Sequence, residues 1–425
     1  MEKYEKGLLF EDPLMQQIAS RFEYLNEDPA IGERIFFENA GGSLRLKESG
    51  QRFSELGAFP DCPSRRHDRA VSLNAVIKKG IEDTRIIFNA QDGEIIIGLT
   101  ATMNMFRMVE TVLQNIPGKN IVTSVLEHPS VFDSMSYYGK ATSREVRVAK
   151  SCAATGGIAV EEVLRLIDQD TALLAITAAS NITGTILDIE SLVTKARQIK
   201  PDLYIIIDAV QHAPHSSLDL MKAPVDGINI ALYKFFGQRG YSMAYISDRM
   251  AKLTHPRILN DKLINWQLGS PVPAFYSDIT VITDYVCWIG GHFTTSTDRR
   301  TLFESGMEHI KLHERALLSY MLDGTSNQNG LRMIDNVIVH LDNPDLTQRD
   351  LIVPISFKNI SCPDAVTEYK KHKVIVFERM ADSHYSKNAL NSFGVKGVIR
   401  VSPLHCHSVN DISRFLQATK EIALL

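Results

Sequence analysis

Between about residue 95 and residue 250, short apolar runs alternate with amphipathic stretches, and this alternation restricts the fold more than any other feature. The runs are EIIIGL (94–99), NIVTSVLE (120–127), ALLAITAAS (172–180), LYIIIDAV (203–210), GINIALY (227–233) and SMAYIS (242–247). Several are apolar at consecutive positions, the pattern of strands buried on both faces. Between them, ATMNMFRMVETVLQNI (101–116) and DIESLVTKARQIK (188–200) repeat apolar residues at helical spacing. Strand and helix in turn predict an α/β fold with a mainly parallel sheet. At 425 residues the chain is too long for one simple core, so two or three domains are expected.

In such sheets ligands bind beyond the carboxyl ends of the strands, so the residues that follow each run carry the information. GLTATMN (98–104) places small and hydroxyl residues at a helix start, a cradle for an anion. EHPS offers His128, NITGT offers Asn181, DAVQH offers Asp208 and Gln211, and YKFFG offers Lys234. Each alone reads equally as a turn or a cap. Lys234 alone reads as a lysine that snorkels its ammonium to water. Five strand ends in order point instead to one crevice. A desolvated lysine is a nucleophile toward aldehydes. Together with a phosphate cradle and an acid for a pyridinium nitrogen, it describes a pyridoxal 5'-phosphate site.

Other classes find little support. The formal net charge of −4 argues against nucleic acid or a polybasic membrane anchor. MEKYEKGLLFEDPLMQQ lacks the apolar core of a signal peptide, and no run reaches transmembrane length. Cys62, Cys152, Cys287, Cys362 and Cys406 form no C-x-x-C pair, which predicts a reducing cytoplasm with neither disulfide framework nor structural zinc. HAPH (212–215) and HCH (405–407) are the best metal candidates but lack a ligand partner at a familiar spacing, so no metal is expected. A nucleotide module using GLTATMN lacks any ribose or base signature.

The ordered series GLTATMN, EHPS, SNITGT, DAVQHAPH and YKFFG resembles the class V aminotransferase family, in its cysteine desulfurase-like branch. FFENAGGS (36–43), NWQLGSPVPA (265–274) and GVIRVSPLHCHSVNDI (397–412) extend the likeness over nearly the whole chain. The resemblance implies the PLP-dependent transferase fold of the aspartate aminotransferase type (fold type I). An N-terminal segment (1–35) would pack on a small C-terminal domain (291–425), beside a large cofactor domain (36–290). Lys234 would hold the cofactor as an internal aldimine and shuttle the Cα proton. Asp208 would pair with the ring nitrogen, Gln211 and Asn181 would bond near the ring hydroxyl, and His128 would stack on the ring. Ala101 and Thr102 would bind phosphate, with the hydroxyl of Tyr233 available. Arg400 would grip the substrate α-carboxylate beside the Asn39–Gly42 loop, so that Asn39 and Gly41 lie near substrate. Ser270 would reach a partner's phosphate site, which implies a homodimer with shared active sites.

Departures from the family pattern shape the expected reaction. Ala231 stands where many relatives carry a hydroxyl, so one phosphate donor is missing. The segment FERMADSHYSKNALNSFGVKG (377–397) carries no cysteine where a desulfurase needs its persulfide nucleophile, and Cys406 lies beyond Arg400. The expected activity is therefore a lyase acting on an amino acid at a Cβ–heteroatom bond of the C–S type. An aminotransferase is the alternative, and a catalytically degenerate partner protein is a third. His384 and Tyr385 form a candidate acid/base pair or a solvated loop.

Overall fold

The computed structural model describes residues 5–60, 62–258 and 266–425. Asn265, which opens NWQLGSPVPA, and residues 1–4 of the N-terminal segment lie outside the described residues.

Seven strands form the main sheet: β1 (Glu94–Gly98), β2 (Asn120–Ser124), β3 (Glu145–Ala149), β4 (Thr171–Thr177), β5 (Tyr204–Asp208), β6 (Gly227–Ala231) and β7 (Ser242–Ile246). Their spatial order is β1-β7-β6-β5-β4-β2-β3. All neighbours are parallel except β7, which runs antiparallel between β1 and β6. Burial on both faces explains the apolar runs. In β5, Ile205 and Ile207 enter one core, while Tyr204 and Ile206 enter another on the opposite face. The helix Ala101–Asn115 covers the second face with Met105, Met108, Val109 and Val112, and the helix Ile189–Ile199 covers the first with Leu192, Val193 and Ala196.

A second, antiparallel sheet follows: β8 (Val337–Val339), β9 (Val353–Phe357), β10 (Phe377–Met380) and β11 (Gly397–Val401), in the order β8-β9-β11-β10. It has its own core around Ile355, Tyr369, Ile399 and Phe415. The 25-residue helix Arg299–Asp323 serves both cores. Its first half gives Phe303, Met307 and Ile310 to the large one, and its last turns give Leu317, Leu318, Met321 and Leu322 to the small one.

The N-terminal segment divides its contacts between the same two cores. Leu14, Ile18 and Phe22 join the larger cluster, while Ile35 joins the smaller through a parallel pairing of Ile35–Phe36 with Val374–Ile375. Gly7, at φ +84°, lies so close to the long helix that a Cβ would come within 2.3 Å of the Leu312 carbonyl oxygen. No helix among the described residues is long and apolar enough to cross a membrane.

Candidate active site

The carboxyl ends of β4, β5 and β6 and the N-termini of two helices enclose a cavity of about 310 Å³, within the range of small-ligand pockets. Its lining includes Thr100, Ala101, Thr102, His128, Asn181, Asp208, Gln211, Tyr233 and Lys234. Eight of the expected site residues therefore meet around one space.

Lys234 stands in a single 3-10 turn directly after β6, among Leu232, Phe235 and Phe236, and is 8% exposed. Its Nζ donates to Gln211 Oε1 at 3.3 Å. Burial, and then the nearby charge of Arg400, lower its pKa to about 7, against the pull of Asp208. Much of the amine is thus neutral near pH 7. Asp208 closes β5 and accepts from the Val210 N–H at 3.1 Å and from the Ser130 hydroxyl at 3.1 Å. Burial raises its pKa, and these two bonds and Lys234 act against that rise.

His128 caps the helix Pro129–Ala141, its Nδ1 accepting the Ser130 N–H at 3.1 Å. Burial, then Lys234 and Arg379, hold it at about 3, so the ring is neutral. The Ser130 hydroxyl lies 2.9 Å from the same Nδ1. Ser130 thus links His128 to Asp208, a role its place in EHPS gave no means to read.

At the other end, Thr100 Oγ1 is spent capping its helix at Met103, while the backbone N–H groups of Ala101 and Thr102 open the first turn. The Asn229 amide holds that turn over β6 by donating to the Ala101 carbonyl at 2.9 Å. Ala231 contributes no side-chain donor, but the Arg239 guanidinium lies over the Tyr233 ring, 3.9 Å from its centroid, and lines the cavity. Sequence reasoning missed Arg239, because GQRG reads as an ordinary turn.

Arg400 is buried at 2% exposure on β11. Its Nη1 donates to the Asn181 carbonyl at 2.9 Å, and its Nη2 meets Glu38 Oε1 at 2.5 Å. Glu38 is a second residue the sequence did not single out. Asn39 is occupied structurally: its amide nitrogen donates to the Phe36 and Ser402 carbonyls, and its oxygen accepts the Leu44 N–H. Asn39 therefore holds the loop instead of lining the cavity, while Gly41 sits against Glu38 and Arg400. Ser270 is exposed and does not line its own chain's cavity. His384 pairs with Asp133 at 3.0 Å on the exposed surface, and the Tyr385 ring lies 5.8 Å from that of His128.

The two histidine groups make ion pairs and hydrogen bonds. His212 pairs with Asp350 at 2.9 Å, His215 with Glu314 at 2.7 Å, and His405 Nε2 bonds to the Tyr285 hydroxyl at 2.7 Å. Among the described residues no group of three His, Cys, Asp or Glu side chains is arranged to hold a metal ion.

Relatives share this framework. A "Probable cysteine desulfurase" of Mycoplasma genitalium is 27% identical over 228 residues, 52% of this chain and 55% of that protein. The chain thus spans about half the length of that relative. A "Cysteine desulfurase" of Wigglesworthia glossinidia brevipalpis is 23% identical over 431 residues, 96% of this chain and 97% of its own. The crystal structure of the cysteine desulfurase CsdA from Escherichia coli superposes with a TM-score of 0.78 at 16% identity, over 98% of this chain and 99% of that one, and so shares the fold. The family model described as Aminotransferase class-V matches residues 36–265, more than half of the chain. With that match over the residues that build the cavity, the chain belongs to the class V aminotransferase family, whose members use pyridoxal 5'-phosphate.

Proposed function

We propose that this protein is a pyridoxal phosphate enzyme that cleaves a Cβ–heteroatom bond of the C–S type in an α-amino acid. The observation that carries the reading is a buried lysine amine, held at about 7, facing a buried aspartate across one cavity. The residues present fit the cofactor. The Ala101 and Thr102 N–H groups, with the Thr102 and Tyr233 hydroxyls and the Arg239 guanidinium, would hold its phosphate at a helix N-terminus. Arg239 supplies there what Ala231 lacks. Asp208, steadied by Ser130, would face the ring nitrogen, His128 would cover one ring face, and Gln211 and Asn181 would bond the ring edge. Lys234 would attach the carbonyl carbon. When bound, pyridoxal phosphate supplies an electron sink for the pair left at Cα.

The chain's own groups do the rest. Arg400, buttressed by the Asn181 carbonyl, orients the substrate carboxylate. The Lys234 amine takes the Cα proton and hands it to the departing heteroatom, and neutral His128 excludes water from one side of the ring. The leaving group departs from Cβ with the bonding pair. None of the five cysteines lines the cavity, and burial holds the Cys406 thiol well above its usual range, which supports a reaction without an enzyme persulfide. Five free thiols also support a reducing, cytoplasmic setting, and the exposed Ser270 supports a homodimer in which it serves the neighbouring site.

The test is the visible spectrum of the purified protein with and without borohydride, beside Lys234→Ala. A yellow band that borohydride bleaches and the variant lacks is the expected result. Ammonia and a 2-oxo acid should then form without an amino acceptor. Product that appears only after a 2-oxo acid is added would assign an aminotransferase, and a protein that stays colourless with added cofactor would overturn the reading.

A further inference from the structure

Two arginines and one carboxylate meet close enough to Lys234 to act on its charge, and their count sets the charge that a substrate must bring. Arg379 on β10 lies opposite Val398, and Arg400 on β11 lies opposite Phe377. Residues 398 and 400 share one face of β11, so both arginines leave the same face of the small sheet as diagonal neighbours. Arg400 is held by Glu38 and by the Asn181 carbonyl. Arg379 makes no hydrogen bond or ion pair among the described residues, and its Nε is buried without a partner. Glu38 Oε2 and Arg400 Nε are likewise buried and unpartnered. Both guanidinium groups act on the charge of Lys234, and Glu38 opposes them, so all four groups share one electrostatic field. The room for the pair is made by Gly41, where a Cβ would lie 2.3 Å from Glu38 Oε1 and 3.3 Å from Arg400 Nη2.

Two cations and one anion leave one positive charge. A single α-carboxylate neutralises it, whereas a second anionic group would remain unpaired in a site sparingly reached by water. Resting on the pyridoxal phosphate reading, we infer that Glu38 is a charge selector acting through Arg400: the site accepts amino acids whose only anion is the α-carboxylate and whose Cβ substituent is uncharged, such as a thiol, and rejects dicarboxylic and sulfinate side chains. Glu38 is a positioning residue in this scheme, since it sets the charge that Arg400 presents.

The experiment is a titration of the holoenzyme's visible band with L-alanine, L-aspartate and L-cysteine sulfinate, for the parent protein, Glu38→Gln and Glu38→Asp. The parent should bind alanine at least about tenfold more tightly than either dianionic ligand, the factor one charge-assisted contact is worth. Glu38→Gln should shift the alanine-to-aspartate ratio by about tenfold or more toward aspartate, and Glu38→Asp should keep the parent's preference. If Glu38→Gln weakens all three ligands by one common factor, Glu38 only braces Arg400 and the inference is overturned. Equal affinity of the parent for alanine and aspartate overturns it as well. Should Glu38→Gln fail to fold, Arg379→Gln decides: removing the surplus cation should weaken alanine about tenfold, and unchanged alanine affinity overturns the proposal. A parent protein without a visible band would instead remove the pyridoxal phosphate reading on which the inference rests.

Discussion

At Lys234 burial and a guanidinium charge act in one direction. Both disfavour the ammonium, and Asp208 only partly restores it, leaving the amine at about 7. The chemistry at this amine needs its lone pair, so the charged form is inert. The sign follows: below about 7 the reactive fraction falls roughly tenfold per pH unit, and above it the fraction saturates. The rate at which apoprotein takes up pyridoxal phosphate, followed at the visible band, should rise up to about pH 7 and then level off. A rate still climbing tenfold per unit at pH 9 would show an ordinary exposed lysine. Lys234 was legible because an isolated cation inside Leu-Tyr-Lys-Phe-Phe breaks the composition of its surroundings. Glu38 was not, because its partner Arg400 is 362 positions away and no local pattern marks such a pair. Ser130 was hidden for a related reason. It is a common helix-start residue, and only the convergence of β5 with its helix brings Asp208 to its hydroxyl.

The long helix Arg299–Asp323 shows what one element can join. Midway along it, Glu314 accepts from the His405 N–H at 3.0 Å and pairs with His215 at 2.7 Å, while His405 reaches the Tyr285 hydroxyl of the preceding helix. Burial alone would lower His215, but Glu314, Asp350 and the hydrogen bond outweigh it and hold the imidazole at about 9. Glu314 is held at about 2, although burial opposes this, chiefly by the charge of His215. A histidine raised in the folded state stabilises fully below its unfolded pKa, near 6.5, and loses that contribution as pH rises through about 9. The carboxylate's contribution is present above about 4.5 and is lost as pH falls through about 2. Glu314→Gln should lower stability by about 3 kcal/mol at pH 6 and shrink the decline between pH 6.5 and 9, read as urea midpoints. An unchanged slope would assign that pH dependence to other groups. At this scale six strands of the main sheet were legible from their apolar runs, and the helices Ala101–Asn115 and Ile189–Ile199 from their spacing, whereas β3, with Glu145 and Arg147 in its short run, was not. The reversed direction of β7 was not, since a strand buried on both faces reads alike from either end. Likewise the partners of HAPH and HCH lie far off in sequence: Glu314 on the long helix pairs with His215 and accepts from the His405 N–H, and Asp350 pairs with His212.

For the whole molecule, the end of the cavity proposed to hold the phosphate faces outward. Leu99 and Met103, at 60% and 53% exposed, flank it, and Arg239 and Thr102 are open to the surface beside them. On the same chain Ser270 stands exposed between Leu268 at 54% and Val272 at 39%. Apolar side chains around a polar donor are the pattern of a surface that another subunit covers, and the proposed homodimer would bury both sets at once. Sequence could indicate this only through family likeness, because neither segment has a composition unlike that of an ordinary loop. If the partner's Ser270 completes the phosphate site, cofactor affinity depends on assembly. Dilution through the dimer–monomer transition, followed by sedimentation velocity, should weaken pyridoxal phosphate binding in step with dissociation. Ser270→Ala should raise the dissociation constant about fivefold, the worth of one hydrogen bond, without dissociating the dimer, and should leave the affinity for pyridoxal, which lacks the phosphate, unchanged. A monomer that keeps full affinity, or a Ser270→Ala effect equal for both ligands, would place the whole phosphate site within one chain.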